Sequence, residues 1–345
     1  MTEHLRRFPY RLVQDRQALE LLEIGPEELS RLPFHDPRFL QPLLGQATRQ
    51  ALSEVVGLPG EPNALGYILG HGYCGSTVVS RAIEGSLSAV VLREPYVLTQ
   101  LADSLQPFQA TTGKALNEPI SLDELKSVIT LYRRFSRPTS LIIKLHQRCC
   151  FMLDWLMSAA MPERVIILYH RLPLFISHAC ATQGRRKAVR DDAIRAHLIT
   201  AALSSGPKIE ELIFPEKAAA YFWAQFMVQT LSLLEHLGGG RVRFCSADEL
   251  IRRRGEQLEF TLDGMFPPDS LASVPNSPWW KADAKQIGST PDEGLHLASG
   301  PLPSKVLVDD AIRWVRGTPV WRTLVEKARR QGTLHLIGEE SGGRL

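Results

Sequence analysis

Short apolar runs alternate with helical patterns from residue 64 onward. Five runs, each apolar on both faces like the strands of a covered parallel sheet, lie at 64–70, 88–92, 140–144, 165–169 and 242–245. Helical periodicity occurs between and after them, over 76–84, 96–105, 122–135, 149–161, 191–203 and 215–237. The alternation predicts an α/β fold of three layers, α/β/α, around a central parallel sheet.

The two ends of the chain differ from this region in composition and in hydrophobic pattern. Residues 1–63 are rich in Leu and in charged residues, with several proline breaks, and predict short helices and loops. Residues 266–345 begin in a proline-rich stretch and contain one or two predicted helices over 306–328. We therefore expect an N-terminal helical cap (1–63), an α/β core (64–265) and a C-terminal loop-rich and helical cap of the same domain (266–345).

Composition and charge exclude several classes of protein. The 345 residues are 44% hydrophobic and 22% charged, which excludes long-range disorder and a disulfide scaffold. Lys and Arg number 40 against 37 Asp and Glu, so the chain lacks the field of a dedicated nucleic-acid binder. The basic run 185–187 is interpreted as a solvated loop and helix start. The longest uncharged stretch, 218–234, is shorter than the roughly 20 apolar residues that span a bilayer, so no membrane span is expected.

Cysteine usage bears on the compartment. None of the five cysteines forms a Cys-x-x-Cys pair, and Cys149 and Cys150 are adjacent within an apolar run. This pattern favours a reducing compartment over a disulfide framework or a zinc site. No apolar run follows the basic residues of the N-terminus, so no signal peptide is evident. We therefore predict a cytoplasmic protein.

The strongest local signal is the segment 70–77, Gly-His-Gly-Tyr-Cys-Gly-Ser-Thr, between the first predicted strand and a predicted helix. A glycine-rich turn there lets backbone N–H groups converge on an anion, and the helix N-terminus adds partial positive charge. Gly70 and Gly75 fit the P-loop spacing, but Ser76 occupies the position of the P-loop lysine. The segment therefore predicts a phosphate or sulfate site rather than ATP or GTP hydrolysis, with an ordinary turn as the alternative. No acidic strand end is suited to magnesium, so no metal is expected.

Two other strand ends carry polar groups. Lys144 and His146 come at the carboxyl end of the third predicted core strand, where open α/β sheets bind ligands. Lys144 could stabilise developing negative charge and His146 could accept a proton. Arg171 follows the next strand, and Ser177 lies on the helix after it, an arrangement suited to a phosphate. The alternatives are a surface Lys, a structural His and an Arg paired with a carboxylate.

Taken in order, these segments resemble the motifs of the sulfotransferase family, whose fold is P-loop-like. Residues 72–77 are similar to the family's 5′-phosphosulfate loop, 144–146 to its Lys-x-His motif, and 171–177 to its 3′-phosphate motif. Residues 92–95, Leu-Arg-Glu-Pro, resemble the [RK]-E-P of several branches, and 242–250 resemble the family's strand and E-D-L helix start. The resemblance covers roughly residues 64–265.

The resemblance implies an enzyme that moves the sulfuryl group of 3′-phosphoadenosine 5′-phosphosulfate (PAPS) to a hydroxyl or amine and releases 3′-phosphoadenosine 5′-phosphate (PAP). The acceptor would be a small molecule, a carbohydrate or a lipid, with no metal; the oligomeric state, a homo-oligomer included, stays open. The implied cofactor-binding residues are Gly72, Tyr73, Cys74, Gly75, Ser76 and Thr77 for the 5′-phosphosulfate, and Arg171 and Ser177 for the 3′-phosphate. Lys144 would offset charge on the moving group, with His146 as the preferred base and Glu94 as the reserve.

The sequence departs from the family pattern at three places. Tyr73 stands where the family has a basic loop residue, and the spacing from Arg171 to Ser177 is shorter than in the cytosolic branch. The family's late R-x-G loop has no clean match, and Lys281, Lys285 and Gly288 are candidates for it. A nucleotide-binding scaffold with impaired catalysis and an atypical P-loop kinase are therefore the alternative interpretations.

Overall fold

The computed structural model describes residues 6–13, 18–55, 63–104, 121–200, 206–253, 256–281 and 302–338. Within these ranges the strands are β1 (Arg6–Val13), β2 (Ala18–Ile24), β3 (Ala47–Ala51), β4 (Leu65–Gly70), β5 (Ala89–Arg93), β6 (Ser140–Lys144), β7 (Arg164–Tyr169) and β8 (Val242–Ser246). The α-helices are α1 (Pro26–Ser30), α2 (Pro37–Leu40), α3 (Leu52–Val55), α4 (Ser76–Ser86), α5 (Tyr96–Ser104), α6 (Leu122–Ser136), α7 (Leu153–Ala159), α8 (Leu172–Ala179), α9 (Gln183–Thr200), α10 (Pro215–Leu237), α11 (Ala247–Arg252), α12 (Glu256–Thr261), α13 (Pro268–Leu271), α14 (Lys305–Arg316) and α15 (Pro319–Arg330). Short 3₁₀ segments are Gln41–Gln46, Gln147–Met152, Ile209–Ile213, Val274–Asn276, Pro278–Lys281 and Leu334–Ile337.

Strands β4 to β8 form one parallel sheet in the order β5-β6-β4-β7-β8. The prediction of five core strands is confirmed, and each observed boundary lies within one residue of the predicted one. From β4 the chain goes to β5 at one edge of the sheet and returns to β6, which is adjacent to β4. It then crosses to β7, on the opposite side of β4. In open α/β sheets such a reversal opens a crevice at the carboxyl ends of the strands, here beyond β4.

Apolar side chains cover both faces of this sheet. Along β4, Tyr67 and Leu69 belong to one buried cluster and Ile68 to another, as the alternation of side chains along a strand requires. The first cluster includes residues of α5 to α10, and the second includes residues of α4, α11, α12 and α13. The three-layer α/β/α prediction is therefore confirmed.

The N-terminal segment differs from its prediction. Strands β1, β2 and β3 form an antiparallel sheet, so the helical cap expected over 1–63 was wrong in its secondary structure. Phe8, Tyr10 and Leu12 alternate along β1 and are buried, which is the period-two pattern of a strand. Tyr132 of α6 donates its hydroxyl to the Pro9 carbonyl at 3.1 Å, which joins this small sheet to the core.

Three helical predictions change in detail. The helix expected over 149–161 begins as the 3₁₀ turn Gln147–Met152 and continues as α7. The helix expected over 191–203 begins at Gln183, because the Thr182 hydroxyl accepts the Arg185 N–H at 3.2 Å and caps α9. The basic run 185–187 therefore lies within a helix. The final helical pattern divides into α14 and α15.

Helix α10 is the central helix of its layer. Its residues from Ala218 to Val228 are buried, and it packs on α8, α9, α14 and α15. Trp223 donates its indole N–H to the His170 carbonyl at 2.9 Å, which ties α10 to the end of β7. In the described ranges no helix combines the length and apolarity needed to cross a bilayer.

Candidate functional site

The sequence-predicted site residues follow the ends of four neighbouring strands. The loop 71–75 follows β4, Glu94 follows β5, Lys144 ends β6, and Arg171 comes shortly after β7. Strand β4 lies between β6 and β7, and β5 pairs with β6. The topology therefore brings these segments to one edge of the sheet, at the crevice beyond β4.

The loop between β4 and α4 turns through left-handed backbone conformations. The angle φ is 84° at Gly72, 55° at Tyr73 and 70° at Gly75. A Cβ at Gly70 would collide with the sulfur of Cys74. The glycines at 72 and 75 are therefore explained by backbone conformation, and that at 70 by close packing.

Two buried histidines hold this loop from beneath. The Nε2 of His71 accepts the His170 N–H at 2.6 Å, so the His71 ring proton lies on Nδ1, which donates to the Gly72 carbonyl at 3.0 Å. The Nε2 of His170 lies 3.0 Å from the Tyr73 carbonyl. The His71 ring packs on Phe175, with 4.4 Å between ring centres. No sequence pattern indicated these roles, which join the loop to the end of β7.

Acidification is expected to destabilise the fold through His71. Burial lowers the pKa of His71 from 6.5 to about 3, because the charged ring would lose its hydration. As the pH falls below about 6.5, the unfolded chain binds a proton that the folded chain does not, and the free energy of unfolding falls by about 1.4 kcal/mol per pH unit. In urea unfolding, the loss between pH 7 and pH 5 should be about 2 kcal/mol larger for the wild type than for His71→Gln. Equal losses in the two proteins would contradict this.

Helix α4 begins directly after the loop, and its N-terminus lacks a side-chain cap. The N-cap residue is Gly75, which has no side chain, and among the described residues no side-chain cap hydrogen bond is formed. Ser76 is half-buried and Thr77 is buried. The N–H groups of the first turn and the partial positive charge of the helix end make this position suited to an anion.

Lys144 and Glu94 form a salt bridge at the end of β6. The Lys144 side chain is 2% exposed and that of Glu94 is 18% exposed. The Glu94 N–H also donates to the Lys144 carbonyl at 2.7 Å, so backbone and side chain of the two residues are both paired. These bonds hold Glu94 at a φ of 55°, which is uncommon for a residue with a side chain and frequent at functional sites.

Phe34, from the N-terminal segment, lies over Lys144 with 4.8 Å between the ring centre and Nζ. The neighbouring His35 fixes this segment to β5: its N–H donates to the Arg93 carbonyl at 2.7 Å, and its Nδ1 accepts the Arg93 N–H at 3.0 Å. Burial lowers the pKa of His35, which keeps the ring neutral and Nδ1 available as an acceptor. Sequence reasoning missed Phe34, because no local pattern connects it to Lys144.

His146 begins the 3₁₀ turn that follows β6. Its Nδ1 accepts the Arg148 N–H at 3.3 Å. Burial lowers the pKa of His146, although the charge of Glu94 acts in the opposite direction, so the ring is neutral at neutral pH. Since Nδ1 is an acceptor, the ring proton lies on Nε2. In this arrangement His146 offers a donor at Nε2 rather than a lone pair for a proton.

Arg171 and Ser177 are not joined by a hydrogen bond. Arg171 is the N-cap residue of α8; its side chain is exposed and forms no ion pair with any residue of the described ranges. The Ser177 hydroxyl donates to the Pro173 carbonyl at 3.0 Å. Six residues of an α-helix rotate a position by about 240°, so the two side chains leave the helix in different directions. Arg171 is therefore the better placed of the two for an anion outside the helix.

A polar network from α9 and the segment after β6 supports the loop. Asp192 is buried and accepts from the Gln147 side-chain amide and from Arg148 Nε, the latter at 3.0 Å. The side-chain amide oxygen of Gln147 (Oε1) lies against Gly72, where a Cβ would collide with it. Arg148 also pairs with Asp103 at 3.3 Å. These residues come from distant segments, so no spacing in the sequence indicated the network.

The remaining candidate residues concern the R-x-G loop and metal or disulfide chemistry. Lys281 ends the 3₁₀ turn Pro278–Lys281, and Lys285 and Gly288 lie outside the described residues. In the part of the chain that the structure describes, no three His, Cys, Asp or Glu side chains are grouped as metal ligands. The five cysteines are buried and unpaired by disulfides.

The chain matches no protein-family model and no curated protein. Among solved structures it is similar to the sulfotransferase domain from the curacin biosynthetic pathway, with a TM-score of 0.41 and 15% identity over 79% of this chain and 99% of that one. It is also similar to the sulfotransferase domain from the Synechococcus PCC 7002 olefin synthase, with a TM-score of 0.39 and 13% identity over 80% of this chain and 97% of that one. For the sulfotransferase STF9 from Mycobacterium avium the TM-score is 0.33, with 14% identity over 85% and 81%. Such likenesses lie below the level at which a shared fold implies a shared function.

Proposed function

We propose that this chain is a sulfotransferase that moves the sulfuryl group of PAPS to a hydroxyl or amine of a small-molecule, carbohydrate or lipid acceptor. One observation carries the proposal: an uncapped helix N-terminus behind a glycine-rich loop lies at the same sheet edge as the buried Lys144–Glu94 pair. A backbone anion site beside a preorganised cation is what transfer of a charged group requires. The order of the loop, Lys144 and Arg171 in the sequence supports the same function.

The residues at this edge fit a nucleotide with an anionic group at each end. We assign the 5′-phosphosulfate to the backbone N–H groups of residues 74–77 and to the hydroxyls of Ser76 and Thr77, at an N-terminus that no side chain caps. We assign the 3′-phosphate to Arg171, whose guanidinium is exposed and has no ion-pair partner in the described ranges. When bound, PAPS supplies the sulfuryl group, whose bond to the 5′-phosphate oxygen breaks as the acceptor oxygen or nitrogen bonds to sulfur.

We assign charge stabilisation to Lys144 and proton acceptance to Glu94. The Lys144 ammonium is fixed by Glu94 and Phe34, so it can offset negative charge without reorganising. Glu94 accepts the proton that the acceptor group loses, since a partly exposed carboxylate beside Lys144 has oxygens to receive it. His146 donates from Nε2 instead, because its Nδ1 is occupied by the Arg148 N–H. This assignment reverses the order in which the sequence motif ranks the two candidate bases.

Calorimetric titration with PAP tests the proposal. Wild-type protein should bind PAP, and Arg171→Gln should raise the Kd for PAP about 10- to 100-fold, because a charge-assisted bond to the 3′-phosphate is lost. The Kd for adenosine 5′-monophosphate, which lacks that phosphate, should not change. Arg322→Gln, at an exposed arginine of α15, is the matched control and should bind PAP like the wild type. Absence of PAP binding by the wild type would overturn the proposed function.

The alternatives have their own outcomes in this experiment. A P-loop kinase would bind ATP in preference to PAP, and nothing at the loop favours it, since Ser76 opens α4 and residues 70–75 include no lysine. A scaffold would bind PAP and transfer no sulfuryl group from PAPS to a broad set of hydroxyl and amine acceptors. Tyr73, the residue that suggests a scaffold, lies beneath the guanidinium of Arg185.

A further inference from the structure

The guanidinium of Arg185 lies over the ring of Tyr73, with 4.6 Å between its central carbon and the ring centre. Arg185 belongs to the first turn of α9, where the Thr182 hydroxyl accepts its backbone N–H at 3.2 Å. Its Nη1 donates to the His178 carbonyl at the end of α8 at 3.2 Å. The helix cap, the α8 carbonyl and the aromatic ring together hold the guanidinium against the loop.

Tyr73 provides a platform for this guanidinium and no charge of its own. Its ring packs against the main buried cluster, and its carbonyl lies 3.0 Å from His170 Nε2. Burial raises the pKa of the Tyr73 hydroxyl to about 12, so the residue is neutral at neutral pH. The loop segment 70–77 itself contains no Lys or Arg. A cation for an anion at this loop therefore has to come from another element.

Arg185 forms no salt bridge with the described part of the chain. Arg148 and Arg195 differ in this respect, since both pair with Asp103, at 3.3 and 2.6 Å. Arg185 has no such ion pair among the described residues, and it is half-buried rather than free in solvent. An arginine has five N–H donors in a planar fork, and among the described residues this side chain forms one hydrogen bond, to a carbonyl. The rest of the fork can serve an anion at the loop.

We infer that Arg185 is a binding residue for the anionic 5′ end of the nucleotide, with Tyr73 as the stacking platform that positions it. The inference rests on the proposed function and assigns the positive charge of the loop to α9 rather than to the loop itself. It also removes the reason to regard the chain as a scaffold, because the cation missing from residue 73 is supplied by residue 185.

The test separates the two ends of the nucleotide by calorimetric titration with PAP and with adenosine 3′-monophosphate, which lacks the 5′-phosphate. Arg185→Gln should raise the Kd for PAP about 10- to 100-fold, the usual effect of losing a charged hydrogen bond, and leave that for adenosine 3′-monophosphate unchanged. Lys187→Gln, at an exposed lysine of the same helix, should leave both values unchanged. For each protein, the Kd for PAP is compared with the Kd for adenosine 3′-monophosphate. A variant that is merely less stable would change both values together and leave their ratio unchanged.

A second variant tests the exchange of charge between the two positions. Tyr73→Arg combined with Arg185→Gln should recover most of the PAP affinity, because it returns the cation to the loop. If the wild type binds PAP and Arg185→Gln keeps the wild-type ratio of the two Kd values, the inference is overturned and the proposed function stands. If the wild type does not bind PAP, the proposed function fails first and the role of Arg185 with it.

Discussion

Lys144→Gln is expected to lower kcat for sulfuryl transfer by about 100- to 1,000-fold, the effect of removing one preorganised electrostatic contact to developing charge. The ammonium is buried, and Glu94 and Phe34 hold it in one position, so solvent cannot take its place. The rate of PAP release from saturating PAPS with an excess of acceptor measures the effect. Lys126→Gln, at an exposed lysine of α6, is the matched control and should keep the wild-type rate. Full activity of Lys144→Gln would show that the cation of the reaction lies elsewhere.

The salt bridge has a structural role that this measurement must separate from the chemical one. Lys144→Gln leaves the largely buried Glu94 carboxylate without its ammonium partner, which costs stability as well as rate. In the double variant Lys144→Gln with Glu94→Gln no charge is left unpaired, so the Tm should recover toward the wild-type value while kcat stays low.

Glu94→Gln alone should lower kcat more than His146→Ala, because His146 Nδ1 already accepts the Arg148 N–H. The reverse order would restore His146 as the base.

Gly72→Ala is expected to weaken PAP binding more than tenfold and to lower the Tm by roughly 3 °C. Gly72 has a φ of 84°, which costs an L-residue about 1–2 kcal/mol, and its new Cβ would collide with the side-chain Oε1 of Gln147. Gln147 cannot move away without breaking its bond to Asp192. Calorimetric titration with PAP and thermal unfolding measure the two effects.

Gly184→Ala is the control for this change. Gly184 lies in α9, where a Cβ would meet nothing within 4 Å, so alanine should keep the PAP affinity and leave the stability equal or about 0.5–1 kcal/mol higher. Gln147→Ala in the Gly72→Ala background removes the collision and leaves only the backbone term. If that double variant recovers none of the PAP affinity, the packing of Gln147 on the loop is not what makes glycine necessary at position 72.

The parallel sheet could be predicted because its signal is local. The three central strands, β6, β4 and β7, are short apolar runs whose two faces are both buried, and this pattern is visible without knowledge of the partners. The N-terminal sheet was missed because residues 1–63 combine many leucines and charged residues with proline breaks, a composition that we interpreted as short helices and loops. In the structure the β1–β2 register shifts between Pro9 and Arg11, which accommodates the proline within the strand.

The buried Glu20 is a second reason why the N-terminal strands were hard to predict. Its carboxylate accepts from Arg11 at 2.5 Å and from Arg49 at 3.0 Å, in the strands on either side of β2. A charged residue in an apolar segment normally indicates a solvated face. The two flanking strands supply the arginines that offset the desolvation cost of the buried Glu20 carboxylate. The strand identity of β2 thus depends on partners that are not adjacent in the sequence.

The sequence by itself determined the five core strands, the glycine positions of the loop, and the placement of Lys144 and Arg171 at strand ends, because backbone conformation and side-chain alternation are local properties. Only the tertiary structure decided that Phe34 covers Lys144, that Arg185 lies over Tyr73 and that Arg148 occupies Nδ1 of His146. The first two contacts join residues far apart in the chain, and the third depends on how the backbone turns after β6. The charge pattern of the site follows from the packing of the N-terminal segment and α9 against the sheet edge, which no local periodicity encodes.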